Sequence, residues 1–65
     1  MTIIWNGAAR DVEARSLVAI LRELGYEETA IATAVNGEFV PARKRRSVVL
    51  GDGDALEVVA PRQGG

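Results

Sequence analysis

The sequence contains no cysteine and no histidine. The first absence excludes a disulfide framework and a thiolate nucleophile. The second removes the imidazole base. Together they remove the usual zinc ligands and any Ser-His-Asp arrangement. Aromatics are scarce, with Trp5, Tyr26 and Phe39 one of each kind. Neither sign of charge dominates: eight Lys and Arg stand against nine Asp and Glu, for a net charge of −1. Nucleic-acid binders carry a basic excess, so that class is disfavoured. No apolar run approaches the ~18 residues of a membrane span. The opening stretch, MTIIWNG, lacks the charged-then-apolar order of an export signal. The expected compartment is therefore the cytoplasm. A self-contained hydrolase or transferase is not expected on this inventory, and no catalytic or metal-ligating residue is nominated.

What is present suits one small folded unit. The chain has 65 residues, 48% of them hydrophobic. Glycine and proline punctuate it. Thr2–Trp5 is β-branched and aromatic and reads as a strand. Asn6-Gly7 is a hairpin signal, because both residues tolerate positive φ. A weaker second strand over Ala8–Glu13 follows, anchored by Val12. Ser16 is placed to cap a helix. Leu17, Ile20, Leu21 and Leu24 then fall at offsets 0, 3, 4 and 7, one helical stripe. Gly25 sits where a left-handed residue ends a helix, with Tyr26 as its apolar follower. Ile31–Val35 reads as a third strand and Asn36-Gly37 as a second hairpin turn. Glu38–Val40 is a short strand that Pro41 ends, which places it at a sheet edge. Ser47–Leu50 reads as extended. Gly51–Asp54 reads as a tight turn, with Asp52 and Asp54 as turn formers rather than metal ligands. Ala55–Ala60 is the last strand, stopped by Pro61.

The order is ββαβββ. It predicts an α+β domain: a mixed sheet of four to five strands with one main helix on one face. The first and last strands are expected to pair in parallel at the sheet centre. Residues 1–60 form the domain and 61–65 a flexible tail.

The tail is the sharpest feature. Glycine has no Cβ, so the Gly64-Gly65 end can enter a channel too narrow for any side chain, with Gln63 behind it as part of the tail needed for access. Pro61 to Gly65 is five residues, a reach of about 16 Å when extended. That is enough to deliver a terminal carboxylate into another protein's active site. A carboxylate is ionised at neutral pH and a poor electrophile. It must first be made a better acyl donor, as by adenylation with ATP, after which a sulfur nucleophile can displace the adenylate. Arg43-Lys44-Arg45-Arg46 allows two readings. It is a solvated loop offsetting acids elsewhere, or a steering patch for an acidic or nucleotide-bound partner. Phe39, on the edge strand, is expected in an apolar partner patch, with Glu38 and the basic run as candidate contacts at its rim.

Ala34-Val35-Asn36-Gly37-Glu38-Phe39-Val40-Pro41, Asp52-Gly53-Asp54, Leu56-Glu57-Val58-Val59 and Pro61-Arg62-Gln63-Gly64-Gly65 occur in that order. This set resembles the bacterial sulfur-carrier family of thiamine biosynthesis, small ubiquitin-like domains of the β-grasp fold. The resemblance spans the chain, with residues 1–30 matching mainly in pattern. It implies that the Gly65 carboxylate is adenylated by a ThiF-like adenylyltransferase that uses ATP, the carrier itself binding no cofactor. It implies conversion to a thiocarboxylate with sulfur drawn from cysteine through a desulfurase. It further implies donation of that sulfur to a ThiG-like thiazole synthase. The basic run departs from the mixed segment with an aromatic common in such proteins. Three alternatives share the architecture. One is the sulfur carrier of molybdopterin synthesis, which normally runs longer. One is a ubiquitin-like modifier whose glycine carboxylate joins a target lysine. The third is a plain interaction module with an inert tail.

Overall fold

The computed structural model describes residues 1–60. Two tight hairpins form where Asn-Gly occurs. Strand β1 (Thr2–Trp5) turns through Asn6-Gly7 into β2 (Ala8–Asp11). Strand β3 (Ala32–Val35) turns through Asn36-Gly37 into β4 (Glu38–Val40). In both turns the Asn and the Gly have positive φ: 47° and 88° in the first, 51° and 83° in the second. That is the type I′ geometry whose twist matches paired strands.

The hairpins do not touch each other edge to edge. Strand β5 (Ala55–Val59) lies between them, parallel to β1 and antiparallel to β3. Among the described residues the sheet order is β2-β1-β5-β3-β4. The expected central parallel pair is therefore β1–β5. Alternation along β5 buries Leu56 and Val58 and exposes Glu57 and Val59.

Helix α1 (Leu17–Glu23) covers one face. Ser16 Oγ accepts the Ala19 N–H at 3.2 Å, as its place before the helix predicted. At the far end Gly25 adopts φ 91°. Its N–H donates to the Arg22 carbonyl at 3.1 Å, and the Tyr26 N–H donates to that of Leu21 at 2.9 Å. These two bonds make a Schellman cap. The buried face is Leu17, Ile20 and Leu21, with Leu24 half-buried beside them. They meet Ile3, Leu56 and Val58 of the sheet, joined by Val12, Val40 and Leu50. Trp5 closes one end: its indole N–H donates to the Tyr26 hydroxyl at 3.1 Å and the rings meet edge to face.

Two local expectations are corrected. Strand β2 ends at Asp11 rather than Glu13. The Glu23 carboxylate captures the Glu13 N–H at 2.9 and 3.0 Å and the Ala14 N–H at 3.0 Å, turning the chain toward α1. Ser47 is not extended but ends a 3₁₀ helix over Ala42–Ser47. Within the stretch Ser47–Leu50 only Val49 makes a bridge, with Ser16. A short 3₁₀ turn, Glu28–Ala30, also precedes β3. The expected tail, 61–65, lies outside the described residues.

Candidate functional site: the last strand and the open sheet face

Strand β5 carries the chain toward Gln63, Gly64 and Gly65, three candidate residues that lie outside the described ones. Its start is secured by the Gly51–Asp54 turn. Asp54 accepts the Gly51 N–H at 2.7 Å and the Asn36 side-chain amide at 3.3 Å. The backbone bond foremost, then the amide, holds the Asp54 carboxyl below its ordinary range. Asp52 accepts the Thr2 N–H at 2.8 Å. Both carboxylates thus serve the turn, as their place beside glycine suggested.

The sheet face away from α1 is uncovered. Register sets Phe39, Ala34 and Glu57 in one row across β4, β3 and β5, and Ala32 beside Val59 in the next. Phe39 is 66% exposed and Val59 65%. Phe39 on β4 and Val59 on β5, in adjacent rows with Ala34 and Ala32 on β3 and with Glu57 ending the first row, make a surface suited to a protein partner. Phe39 was legible as exposed from the edge position that Pro41 implied. Val59 and Glu57 were missed as members of this face. The alternation of β5 was the signal for them.

The remaining candidates do not gather on this face. Successive strand residues point to opposite sides, so Glu38 shares a side with buried Val40, not with Phe39. The 3₁₀ helix carrying the basic run packs against α1, on the covered side of the sheet. Arg43, Lys44 and Arg46 are exposed there. Arg45 is not a rim charge: it is buried, 2% exposed. Its Nε donates to Thr33 Oγ1 at 3.2 Å and its guanidinium also to the Ile31 carbonyl at 2.8 Å. Thr33 in turn donates to the Val40 carbonyl at 2.9 Å. Arg45 is therefore a strut that ties the 3₁₀ helix to both strands of the second hairpin. Among the described residues every buried side-chain nitrogen and oxygen has a hydrogen-bond partner.

The sequence profile of the ThiS family matches residues 3–65, through both terminal glycines. The chain belongs to the ThiS family. A sulfur carrier protein ThiS of Thermus thermophilus is 38% identical over 64 residues, spanning 97% of this chain and all of that one. A thiazole synthase of Paramagnetospirillum magneticum is 39% identical over 66 residues, which cover this whole chain but only 20% of that protein. The solved crystal structure of a ThiS protein from Geobacter metallireducens superposes with a TM-score of 0.81 at 23% identity, each chain fully covered. A solution structure from the same organism gives 0.83, covering 88% of that chain. The shared architecture is the ubiquitin-like β-grasp fold, as the resemblance implied. A ThiS protein is a sulfur carrier of thiamine biosynthesis, a protein substrate rather than a catalyst. Among the described residues no helix is long and apolar enough to cross a membrane.

Proposed function

We propose that this ThiS protein carries sulfur on the carboxylate of Gly65. A carboxylate oxygen attacks the α-phosphorus of ATP bound to a ThiF-like adenylyltransferase, and pyrophosphate leaves. Sulfur drawn from cysteine and delivered at the hydrosulfide level then attacks the acyl carbon and displaces AMP, giving the thiocarboxylate. Thiazole synthase takes the sulfur, an oxygen from water replaces it on the acyl carbon, and the carboxylate returns for another cycle. The observation that carries this reading is the family match running through Gly64 and Gly65 in a chain without cysteine. Such a chain has no thiol on which to hold sulfur.

The synthase as partner is supported by the relative from Paramagnetospirillum. There, a segment similar to this entire chain occupies a fifth of a polypeptide named thiazole synthase. The open face with Phe39 and Val59 is the surface we assign to docking, because it is apolar and adjoins the strand that leads to the tail. Gln63 and Gly64 give the reach, and the glycines the slimness, to enter the active site.

The test is pyrophosphate exchange with the cognate activating enzyme, followed by intact mass of the carrier. Deleting Gly65 draws the carboxylate back by about 3.3 Å. Even a 1 Å misplacement can cost ~100-fold in rate. Exchange and the sulfur-for-oxygen gain in mass are both expected to collapse while the melting midpoint stays put. A folded deletion variant that exchanges pyrophosphate at the normal rate would refute the reading.

A further inference from the structure

Strand β1 partners β5 only as far as Leu56, because the chain turns away at Asn6-Gly7. The last backbone bond on that side runs from the Asn6 N–H to the Leu56 carbonyl, 2.9 Å. The next groups of β5 facing that side are the N–H and carbonyl of Val58, and no β1 backbone remains to meet them. The Asn6 side chain meets both. Its Oδ1 accepts the Val58 N–H at 2.8 Å, and its Nδ2 donates to the Val58 carbonyl at 3.2 Å. A carboxamide offers the same donor and acceptor as a peptide unit. Asn6 therefore continues the ladder one step past the end of β1.

The turn itself does not need this side chain. A φ of 47° at position 6 suits glycine at least as well as asparagine. What glycine cannot supply is the grip on Val58. The second hairpin turn repeats the device at the other end of the same strand: Asn36 Oδ1 accepts the Ala55 N–H at 2.9 Å. The two clamps differ in place. The Asn36 clamp holds the start of β5, whereas the Asn6 clamp holds it three residues before Pro61. On the far side β3 pairs through Val59. With Asn6 in place, β5 is held on both edges up to Val58.

We propose that Asn6 is a positioning residue for the reactive tail. By closing the free edge of β5 at Val58 it sets the direction in which the chain leaves the domain, and so the alignment of the Gly65 carboxylate with ATP. This rests on the adenylation reading above.

The experiment compares the wild-type chain with Asn6→Gly, Asn6→Asp and Asn36→Gly. Pyrophosphate exchange is measured against carrier concentration, and backbone amide order parameters are measured by NMR. Misplacement by 1 Å can cost ~100-fold, and loosening of one strand edge is expected to lower kcat about tenfold in Asn6→Gly. KM stays near the wild-type value, since Phe39 and the β3–β4 part of the docking face are untouched and Val59 keeps its pairing with Ala32. A merely structural loss would do the reverse: partial unfolding lowers the concentration of competent carrier and raises KM, leaving kcat alone. Asn36→Gly, which removes the matching clamp at the far end, is expected to keep kcat. Asn6→Asp retains the acceptor for the Val58 N–H but loses the donor, and is expected to fall between. Order parameters at Val59 and Ala60 drop in Asn6→Gly and not in Asn36→Gly. A wild-type kcat in Asn6→Gly, or equal losses in both glycine variants, would overturn the proposal. If the wild-type carrier itself fails to exchange, the adenylation reading falls. The order parameters then decide the clamp alone: unchanged values at Val59 and Ala60 in Asn6→Gly overturn it, and a drop there supports it.

Discussion

Arg45→Ala isolates the strut inside the basic run. The substitution removes a side chain that is 2% exposed, along with its bonds to Thr33 and Ile31. Two costs follow. The Ile31 carbonyl loses a charge-assisted donor, and a polar group left unpaired costs about 1–3 kcal/mol. The aliphatic stem leaves the interior, at about 0.8 kcal/mol for each methylene, or roughly 2 kcal/mol. We expect a loss of about 3 kcal/mol. A domain of this length has roughly 3–10 kcal/mol in all, so the effect is a large share of its stability. At about 4–8 °C for each kcal/mol in a small domain, the melting midpoint falls by roughly 12–24 °C. Arg45→Met keeps the volume and loses the bonds, so it is expected to sit between Arg45→Ala and wild type. Arg43→Ala and Arg46→Ala, in exposed positions, are expected to stay within about 0.5 kcal/mol. The assay is urea unfolding followed by Trp5 fluorescence, which reports the packing of its ring on Tyr26. An Arg45→Ala midpoint equal to that of Arg43→Ala would refute the buried strut.

Two further predictions follow from the surface. The Glu23 and Asp54 carboxyls are held below their ordinary values of 4.5 and 3.8, chiefly by backbone N–H donors from Glu13 and Ala14 to the first and from Gly51 to the second. A group with a depressed folded-state pKa lends stability that is complete above its unfolded value and lost as pH falls through its folded one. The urea midpoint is therefore expected to hold from neutrality down to about pH 5 and to drop below it. The double variant Glu23→Gln with Asp54→Asn should fall less steeply in acid, and an unchanged acid slope would disprove the assignment. Neutralising Arg43, Lys44 and Arg46 together, with Arg45 left in place, is expected to slow association with the activating enzyme at low salt and to matter little at high salt. An on-rate unchanged at every ionic strength would assign these three charges to solvent alone.

Local signals made much of this fold legible. Helix α1 was readable because its stripe, its Ser16 cap and its Gly25 stop all lie within ten residues. The hairpins were readable because Asn-Gly demands one turn geometry. The features that escaped are held from a distance. Arg45 sits in a run of charges, and nothing local marks it as buried; its bonds reach Thr33 and Ile31, twelve and fourteen positions away. The early end of β2 depends on Glu23, nine and ten positions on. The 3₁₀ helix over Ala42–Ser47 has no apolar period to announce it. The same limit applies at the candidate site. Phe39 was readable as exposed, yet the facing of Glu38 and the placement of the basic run on the other side of the sheet depend on pairings across strands. Asn6 was read only as a turn former, because its grip on Val58 spans 52 positions.

The place of β5 between the two hairpins has a consequence for biosynthesis. An isolated two-stranded hairpin is marginal in water. Until Ala55–Val59 has been made, β1–β2 and β3–β4 have no common strand to join them, and the Leu56 and Val58 side of the core is missing. The keystone of the sheet is thus the last of the described strands to leave the ribosome. A nascent chain that stops short has two loose ribbons and an uncovered helix, a ready substrate for proteases. A chain that has closed its sheet has therefore been translated at least through Val59.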